Sequence, residues 1–325
     1  MEEIIRLFPV PYHPTLKQKI NWDIIQEIRL RVNKRLEILD TRGVTYISNT
    51  KLSQLDLSFV LNQVSQFSVY KFKEEMKEGF ITIEGGHRVG LAGKANVHQN
   101  VIETLKNITF MNIRIARSTI ESGKRALSYL YRKDEWLNTL IIGPPHSGKT
   151  TILRNFAKWI GSGTTFTSAS KVAVVDERSE IAACHEGIPQ LDVGERTDVM
   201  DACPKAVGMM MMIRSMSPEV MVVDEIGDLD DALAVKEAVH TGVKVICSVH
   251  GTNRETISKR NAVQELIESE AFDRFIILER LSVRANAVIE ILDGQGNELV
   301  RLNGEGDHGV VRSPNSTTRY HMDRV

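Results

Sequence analysis

The chain has 325 residues whose charges nearly cancel, 41 Lys plus Arg against 42 Asp plus Glu for a net of −1. That length suits about two domains, and 42% hydrophobic with 26% charged residues excludes wholesale disorder, collagen and coiled-coil rods. No apolar run reaches the roughly 18–20 residues of a bilayer span, the Met1-Glu2-Glu3 start is acidic where a signal peptide would be basic, and Cys184, Cys203 and Cys247 share no CxxC spacing.

A soluble, reduced, cytoplasmic protein is therefore expected, with neither a disulfide framework nor a zinc knuckle. Near-neutrality hides an asymmetry. Residues 1–135 hold 21 Lys plus Arg against 15 Asp plus Glu, a net of +6, which leaves 20 against 27, a net of −7, for the rest. A basic front half suits an anionic partner: a membrane surface, a nucleic acid or an acidic neighbour.

Residues 22–40 form an apolar-periodic stretch carrying Arg29, Arg31, Lys34 and Arg35 among Ile and Leu, ending at Thr41-Arg42-Gly43. The spacing of Leu57, Val60, Leu61, Val64 and Phe67 predicts an amphipathic helix over 52–70. Residues 81–93 read as a hairpin with glycines at its turn. Residues 109–116 read as a strand, and residues 122–130 as helical. A domain boundary is placed near 118. Beyond it, short β-branched runs alternate with helical segments: 140–142, 172–175, 220–223, 245–249 and 275–278. Continuous apolar runs of this kind suit strands buried on both faces of a mostly parallel α/β sheet. A closing hairpin is expected over 283–302 around Asp293-Gly294. The Gly-, Ser- and charge-rich tail from Gly304 is expected to be loose. The expected domains are thus 1–118, 119–303 and a tail of 304–325.

The strongest chemical signal is Gly143-Pro144-Pro145-His146-Ser147-Gly148-Lys149-Thr150, which fits GxxxxGK[ST] between a predicted strand and a helix beginning near Thr150, with Thr151 next in line. Its glycines let consecutive N–H groups curl around phosphates, and the helix N-terminus adds positive potential. Lys149 is placed to reach the β- and γ-phosphates of ATP and Thr150 to bind Mg²⁺. Residues 220–225 are an apolar strand ending in Asp224 and Glu225, a Walker B arrangement in which Asp224 holds Mg²⁺ and Glu225 polarises water or supports the metal. Acids Asp176, Glu177 and Glu180 follow the strand at 172–175, and His250 follows the strand at 245–249. In a parallel sheet these strand ends share one edge, so the residues converge on the bound phosphates, with His250 placed to sense the terminal one.

The runs 217–231 (SPEVMVVDEIGDLDD) and 241–253 (TGVKVICSVHGTN) resemble secretion-superfamily ATPases, which drive type II and type IV secretion and pilus assembly. Their Asp box, Walker B and His box match 176–180, Asp224–Glu225 and His250. Within that group the whole chain is most similar to the stage III sporulation AA family, through runs 84–93 (EGGHRVGLAG), 112–117 (NIRIAR), 175–181 (VDERSEI) and 196–205 (RTDVMDACPK). The resemblance spans about Ile28 to Leu292. It implies a RecA-like P-loop core, a mostly parallel sheet between helices, with a smaller α+β amino-terminal docking or regulatory domain. It further implies a homohexameric ATPase on the mother-cell side of the forespore membrane, energising a channel-like complex of membrane proteins that links the two cells during endospore formation. Two departures from the secretion enzymes stand out. The four-cysteine zinc module is missing, so no metal beyond Mg²⁺ is expected. The Asp box reads Asp-Glu-Arg-Ser-Glu, which leaves the base open among Glu177, Glu180 and Glu225, Glu177 first and Glu225 close behind.

A γ-phosphate at a subunit edge commonly needs an arginine supplied in trans. Arg88 and Arg114 in the amino-terminal half are the first candidates, then Arg178, Arg196 and Arg214. Seven of the 11 methionines lie at 200, 209–212, 216 and 221, which suggests either core packing or a mobile subunit contact. A rival reading is a nucleotide-gated single-stranded nucleic-acid-binding RecA-like protein. Against it, the basic half has no aromatics interleaved with basic residues of the kind that stack bases.

Overall fold

A computed structural model describes residues 1–68, 72–77, 79–99, 101–116, 123–279 and 288–302. The boundary near 118, the tail from Gly304, the far end of the helix expected over 52–70 and the first part of the 283–302 segment lie outside these residues. The chain divides into two units, Met1–Thr119 with Ala182–Asp192, and Ile120–Ile181 with Val193–Val325.

In the first unit a period-2 apolar pattern builds an antiparallel sheet of six strands: β1 (Ile25–Arg31), β2 (Arg35–Asp40), β3 (Gly43–Lys51), β4 (Phe80–Ile83), β5 (His87–His98) and β6 (Val101–Arg114), in the order β3-β2-β1-β6-β5-β4. Ile28, Leu30, Leu36, Ile38, Val89, Leu91, Met111 and Ile113 alternate with more exposed neighbours and are buried. The stretch 22–40 is thus the hairpin β1–β2, turning near Asn33 (φ 63). The helix Gln54–Val64 buries Leu57, Val60 and Val64 against this core. Ser53 and Asp56 close its N-terminus as a capping box. The helix is shorter than 52–70 because Gln66 and Phe67 both take positive φ, 49 and 59, which ends α-helical hydrogen bonding.

Residues 182–192 belong to this unit by contact, not to the second domain expected over 119–303. Gln190 Oε1 accepts from Gly85 N at 2.9 Å, His185 Nδ1 lies 3.2 Å from Thr82 O, and the Gly86 backbone lies against Ala183. The chain therefore leaves the second unit after Ile181 and returns at Val193.

The second unit opens with a short ribbon, β7 (Tyr131–Arg132) and β8 (Glu135–Trp136), then builds an eight-stranded sheet. Its strands are β9 (Thr139–Gly143), β10 (Val172–Asp176), β11 (Thr197–Asp201), β12 (Val220–Val223), β13 (Lys244–His250), β14 (Arg274–Glu279), β15 (Val288–Asp293) and β16 (Glu298–Leu302), ordered β11-β10-β12-β13-β9-β14-β15-β16. The first six run parallel, and β15 and β16 add an antiparallel edge. Every residue of β9, β10 and β12 is buried, as strands covered on both faces require. The helix Lys149–Ser162 packs on these strands, while helices Lys205–Met216, Leu229–His240 and Asn261–Glu268 pack on one another. Met209, Met212 and Met221 fill the core, whereas Met211 and Met216 are exposed, so the methionine cluster is divided between packing and surface. Among the described residues no helix is long and apolar enough to cross a membrane.

Candidate functional site

The order of strands sets the site. β13 lies between β9 and β12, and its register pairs His250 with Gly143 and Cys247 with Val223. The ends of β10, β12, β13 and β9 thereby bring Asp176–Glu177, Asp224–Glu225, His250 and the 143–150 loop to one edge of the sheet.

The loop leaves β9 at Gly143 and enters the helix Lys149–Ser162 through Gly148, whose φ of 96 favours glycine. A Cβ on Gly143 would stand 2.3 Å from Ser147 Oγ, so only glycine lets the loop close on itself. Lys149 is buried at 8% exposure, and its Nζ donates to Gly143 O (3.0 Å) and Pro144 O (3.2 Å). Ser147 Oγ is buried with no hydrogen-bond partner. A buried ammonium held only by carbonyls and an orphaned hydroxyl in a curled loop fit a phosphate-bearing ligand. Pro145 and His146 are exposed, His146 with φ 60, while Pro144, Thr150 and Thr151 are half-buried.

Thr150 Oγ1 donates to Asp224 Oδ2 at 2.8 Å. A hydroxyl and a carboxylate are the oxygen donors that a hard cation such as Mg²⁺ takes. Asp224 Oδ1 accepts from Ser248 Oγ (2.6 Å) and Glu225 N (2.9 Å), and Glu225 N also reaches Ser248 Oγ (3.0 Å). Glu225 has φ 34 and is exposed, and His250 is half-buried at the end of β13.

The acids after β10 are differently engaged. Asp176, 1% exposed, accepts from Glu180 N (2.8 Å) and Ile181 N (2.9 Å), closing the turn that follows the strand. Glu177 accepts from Lys205 Nζ, which also lies 3.5 Å from Asp231. Burial works against the Lys205 charge, but Glu177 and Asp231 outweigh it and hold the pKa above the ordinary lysine value. Glu180 is half-buried, and its carbonyl accepts from Arg154.

The arginines proposed to act in trans are dispersed. Arg88 and Arg114 are register partners on β5 and β6 in the first unit, with the Arg88 guanidinium 3.8 Å over the Phe80 ring. Arg178 and Arg214 are exposed in the second unit, and Arg196 donates to Ala169 O.

Residues 2–299 match the family described as Sporulation stage III, protein AA. The chain belongs to that family. It is 44% identical over 306 residues to stage III sporulation protein AA of Bacillus subtilis (strain 168), covering 94% of this chain and 99% of that protein. It is 24% identical over 273 residues to the uncharacterized protein ycf45 of Porphyra purpurea, covering 82% of this chain and 43% of that one. Among solved structures, the ATPase DotB of Legionella pneumophila aligns with a TM-score of 0.58 at 16% identity, over 88% of this chain and 81% of that one. The pilus retraction motor PilT with bound ADP aligns at 0.58 and 15%, over 82% and 78%. At these identities the likeness is one of fold: a RecA-like P-loop core with a smaller α+β amino-terminal domain.

In this sporulation-family chain three residues bonded to the candidate site belong to none of its motifs: Ser248, Lys205 and Arg154. Ser248 had a legible signal, a lone hydroxyl inside the apolar run 245–249, which must find a partner when buried. Lys205 and Arg154 had none, since only the folded chain brings Lys205 beside Glu177 and aims Arg154 at the carbonyls of Glu180 and Ile181.

Proposed function

We propose that this chain is an ATP-hydrolysing motor that assembles as a homohexameric ring and energises a membrane-associated, secretion-like channel complex during endospore formation. The observation that carries the reading is the Thr150–Asp224 hydrogen bond, which joins the 143–150 loop to the acid after β12. Family membership supports the sporulation context, and the fold shared with DotB and PilT supports motor chemistry.

In this reading the backbone N–H groups of 143–151 cradle the phosphates, and Lys149 exchanges its two carbonyl partners for phosphate oxygens. Thr150 and Asp224 hold Mg²⁺, which when bound neutralises charge on the β- and γ-phosphates. Glu225 is the base that orients water: it is exposed on a backbone tied to Ser248 and directly follows Asp224, which meets Thr150, whereas the Glu177 carboxylate is already held by Lys205. His250, register partner of Gly143, senses the terminal phosphate. Arg88 or Arg114 completes the site of a neighbouring subunit, and hydrolysis changes the angle between the domains. The domains are 1–118 for docking or regulation and 119–303 for catalysis, with residues 182–192 contributed to the first and a tail of 304–325. The partners are membrane proteins met at the cytoplasmic face, on the mother-cell side of the forespore.

The test is Lys149→Ala, assayed by phosphate release with circular dichroism as the control for folding. Abolished turnover with an intact fold supports the reading, and wild-type turnover sinks it. Sizing with and without a non-hydrolysable ATP analogue tests the ring, which should form a nucleotide-dependent hexamer.

A further inference from the structure

The segment Asp224-Glu225-Ile226 is tied to a single residue of the adjacent strand. Ser248 lies in β13 between Cys247 and Val249 and is fully buried. Its hydroxyl donates to Asp224 Oδ1 at 2.6 Å and accepts from Glu225 N at 3.0 Å, while its carbonyl accepts from Ile226 N at 2.7 Å. We infer that Ser248 is the positioning residue of this site, fixing through one hydroxyl both the carboxylate rotamer of Asp224 and the backbone of Glu225. The inference rests on the ATPase reading for its kinetic consequence but not for its geometry.

Three features carry it. Ser248 and Glu225 N together occupy Asp224 Oδ1, so that Oδ2 is the oxygen meeting Thr150 Oγ1 at 2.8 Å. Without the hydroxyl, the carboxylate loses its shorter anchor and can rotate about χ2, a broad torsion with no steep wells of its own. Glu225 sits at φ 34, on the left-handed side that a residue with a Cβ disfavours. Such a conformation persists when surrounding bonds over-determine it, and here the bonds to Ser248 precede and follow the strained residue. Finally, Ser248 and His250 are two apart on one strand and share a face, so the acids after β12 are set in register with the histidine at the loop. Serine suits the position because it offers one donor and one acceptor at the end of a short arm. Alanine removes both, and threonine keeps both and adds a methyl.

The experiment compares wild type, Ser248→Ala and Ser248→Thr in two assays. Steady-state ATP hydrolysis should show kcat lowered about 10–100-fold in Ser248→Ala, the range typical of residues that orient a metal or its ligands. The KM for ATP should change less than kcat, because the phosphate cradle is untouched, and Ser248→Thr should recover most of the rate. Amide hydrogen exchange at Glu225, measured without nucleotide, should be faster in Ser248→Ala than in wild type or Ser248→Thr. Equal exchange in all three proteins overturns the inference. So does a Ser248→Ala enzyme with wild-type kcat, or one whose loss threonine does not restore. If the wild type itself releases no phosphate, the ATPase reading falls, and the exchange comparison alone decides whether Ser248 positions Glu225.

Discussion

Thr150 Oγ1 and Asp224 Oδ2 meet at 2.8 Å, joining the first turn of the helix Lys149–Ser162 to the end of β12, two strands from the strand that leads into that helix. The contact ties the two halves of a nucleotide site through a group that is also a metal ligand in the proposed reaction. Thr150→Val keeps the shape and removes the hydroxyl. Loss of a group that orients a metal or its ligands typically costs about 10–100-fold in activity, so turnover should fall by that order. Thr150→Ser should stay near wild type. Nucleotide binding measured in excess Mg²⁺ and in a chelator checks the cause: Thr150→Val should lose the Mg²⁺-dependent part only.

Glu177 and Glu225 separate by environment. The Glu177 carboxylate is held by Lys205, whereas the exposed Glu225 has a backbone fixed by Ser248. Removal of a general base costs about 10²–10⁴-fold, so Glu225→Gln should lower kcat by that order while ATP still binds. Glu177→Gln should cost less than about tenfold, because an amide still accepts from Lys205 with the weaker bond of an uncharged partner. The reverse ranking would transfer the role of base to Glu177.

How far the sequence leads here depends on how locally each feature is encoded. The strands β9, β10, β12, β13 and β14 are legible because a strand buried on both faces must be apolar throughout, and the 143–150 loop because its glycines and lysine serve one geometry. Strand β11 was not legible: Thr197, Asp198 and Asp201 break the apolar run, since an edge strand has one side open to water. The excursion of 182–192 into the first unit was equally hidden. Its bonds are to residues some hundred positions away, Gly85 with Gln190 and Thr82 with His185, and no local pattern records them. The same holds for Lys205 beside Glu177, a pairing across 28 positions of sequence.

Cys247 gives the stability a pH dependence. Complete burial, with Asp231 and Asp224 adding to it, pushes the thiol pKa well above the ordinary value. In the unfolded chain the thiol ionises near pH 8.5, while in the folded chain it keeps its proton. Above that pH the unfolded state binds fewer protons, so stability falls as pH rises, by up to about 1.4 kcal/mol per pH unit for this one group. Urea denaturation between pH 8 and 10 should show the decline. In Cys247→Ala the slope should be shallower, whatever the substitution does to stability at pH 7. Burial should also make the native thiol inert to alkylation, which mass spectrometry reads directly.

Arg154 lies one turn beyond Thr150 on the same helix, and its planar fork grips the turn after β10 from outside. Nε donates to Ile181 O, and Nη2 donates to Glu180 O at 2.6 Å. Asp176 grips the same turn from inside through the N–H groups of Glu180 and Ile181. Burial lowers the Arg154 pKa, opposed by the nearby charges of Asp176, Asp224 and Glu180, but a guanidinium stays protonated through the physiological range. Arg154→Met fills the space, yet strands two carbonyls and removes a positive charge near the buried Asp176. Each orphaned buried acceptor costs about 1–3 kcal/mol, so denaturant unfolding should show a loss of several kcal/mol. Arg154→Lys supplies one compact ammonium on a flexible stem, which cannot reproduce the two-carbonyl fork. It should fall between wild type and methionine. A lysine variant as stable as wild type would mean that charge alone holds the turn. The intermediate value would instead show that the fork geometry holds the turn to the phosphate-loop helix, just before the chain crosses into the first unit at Ala182.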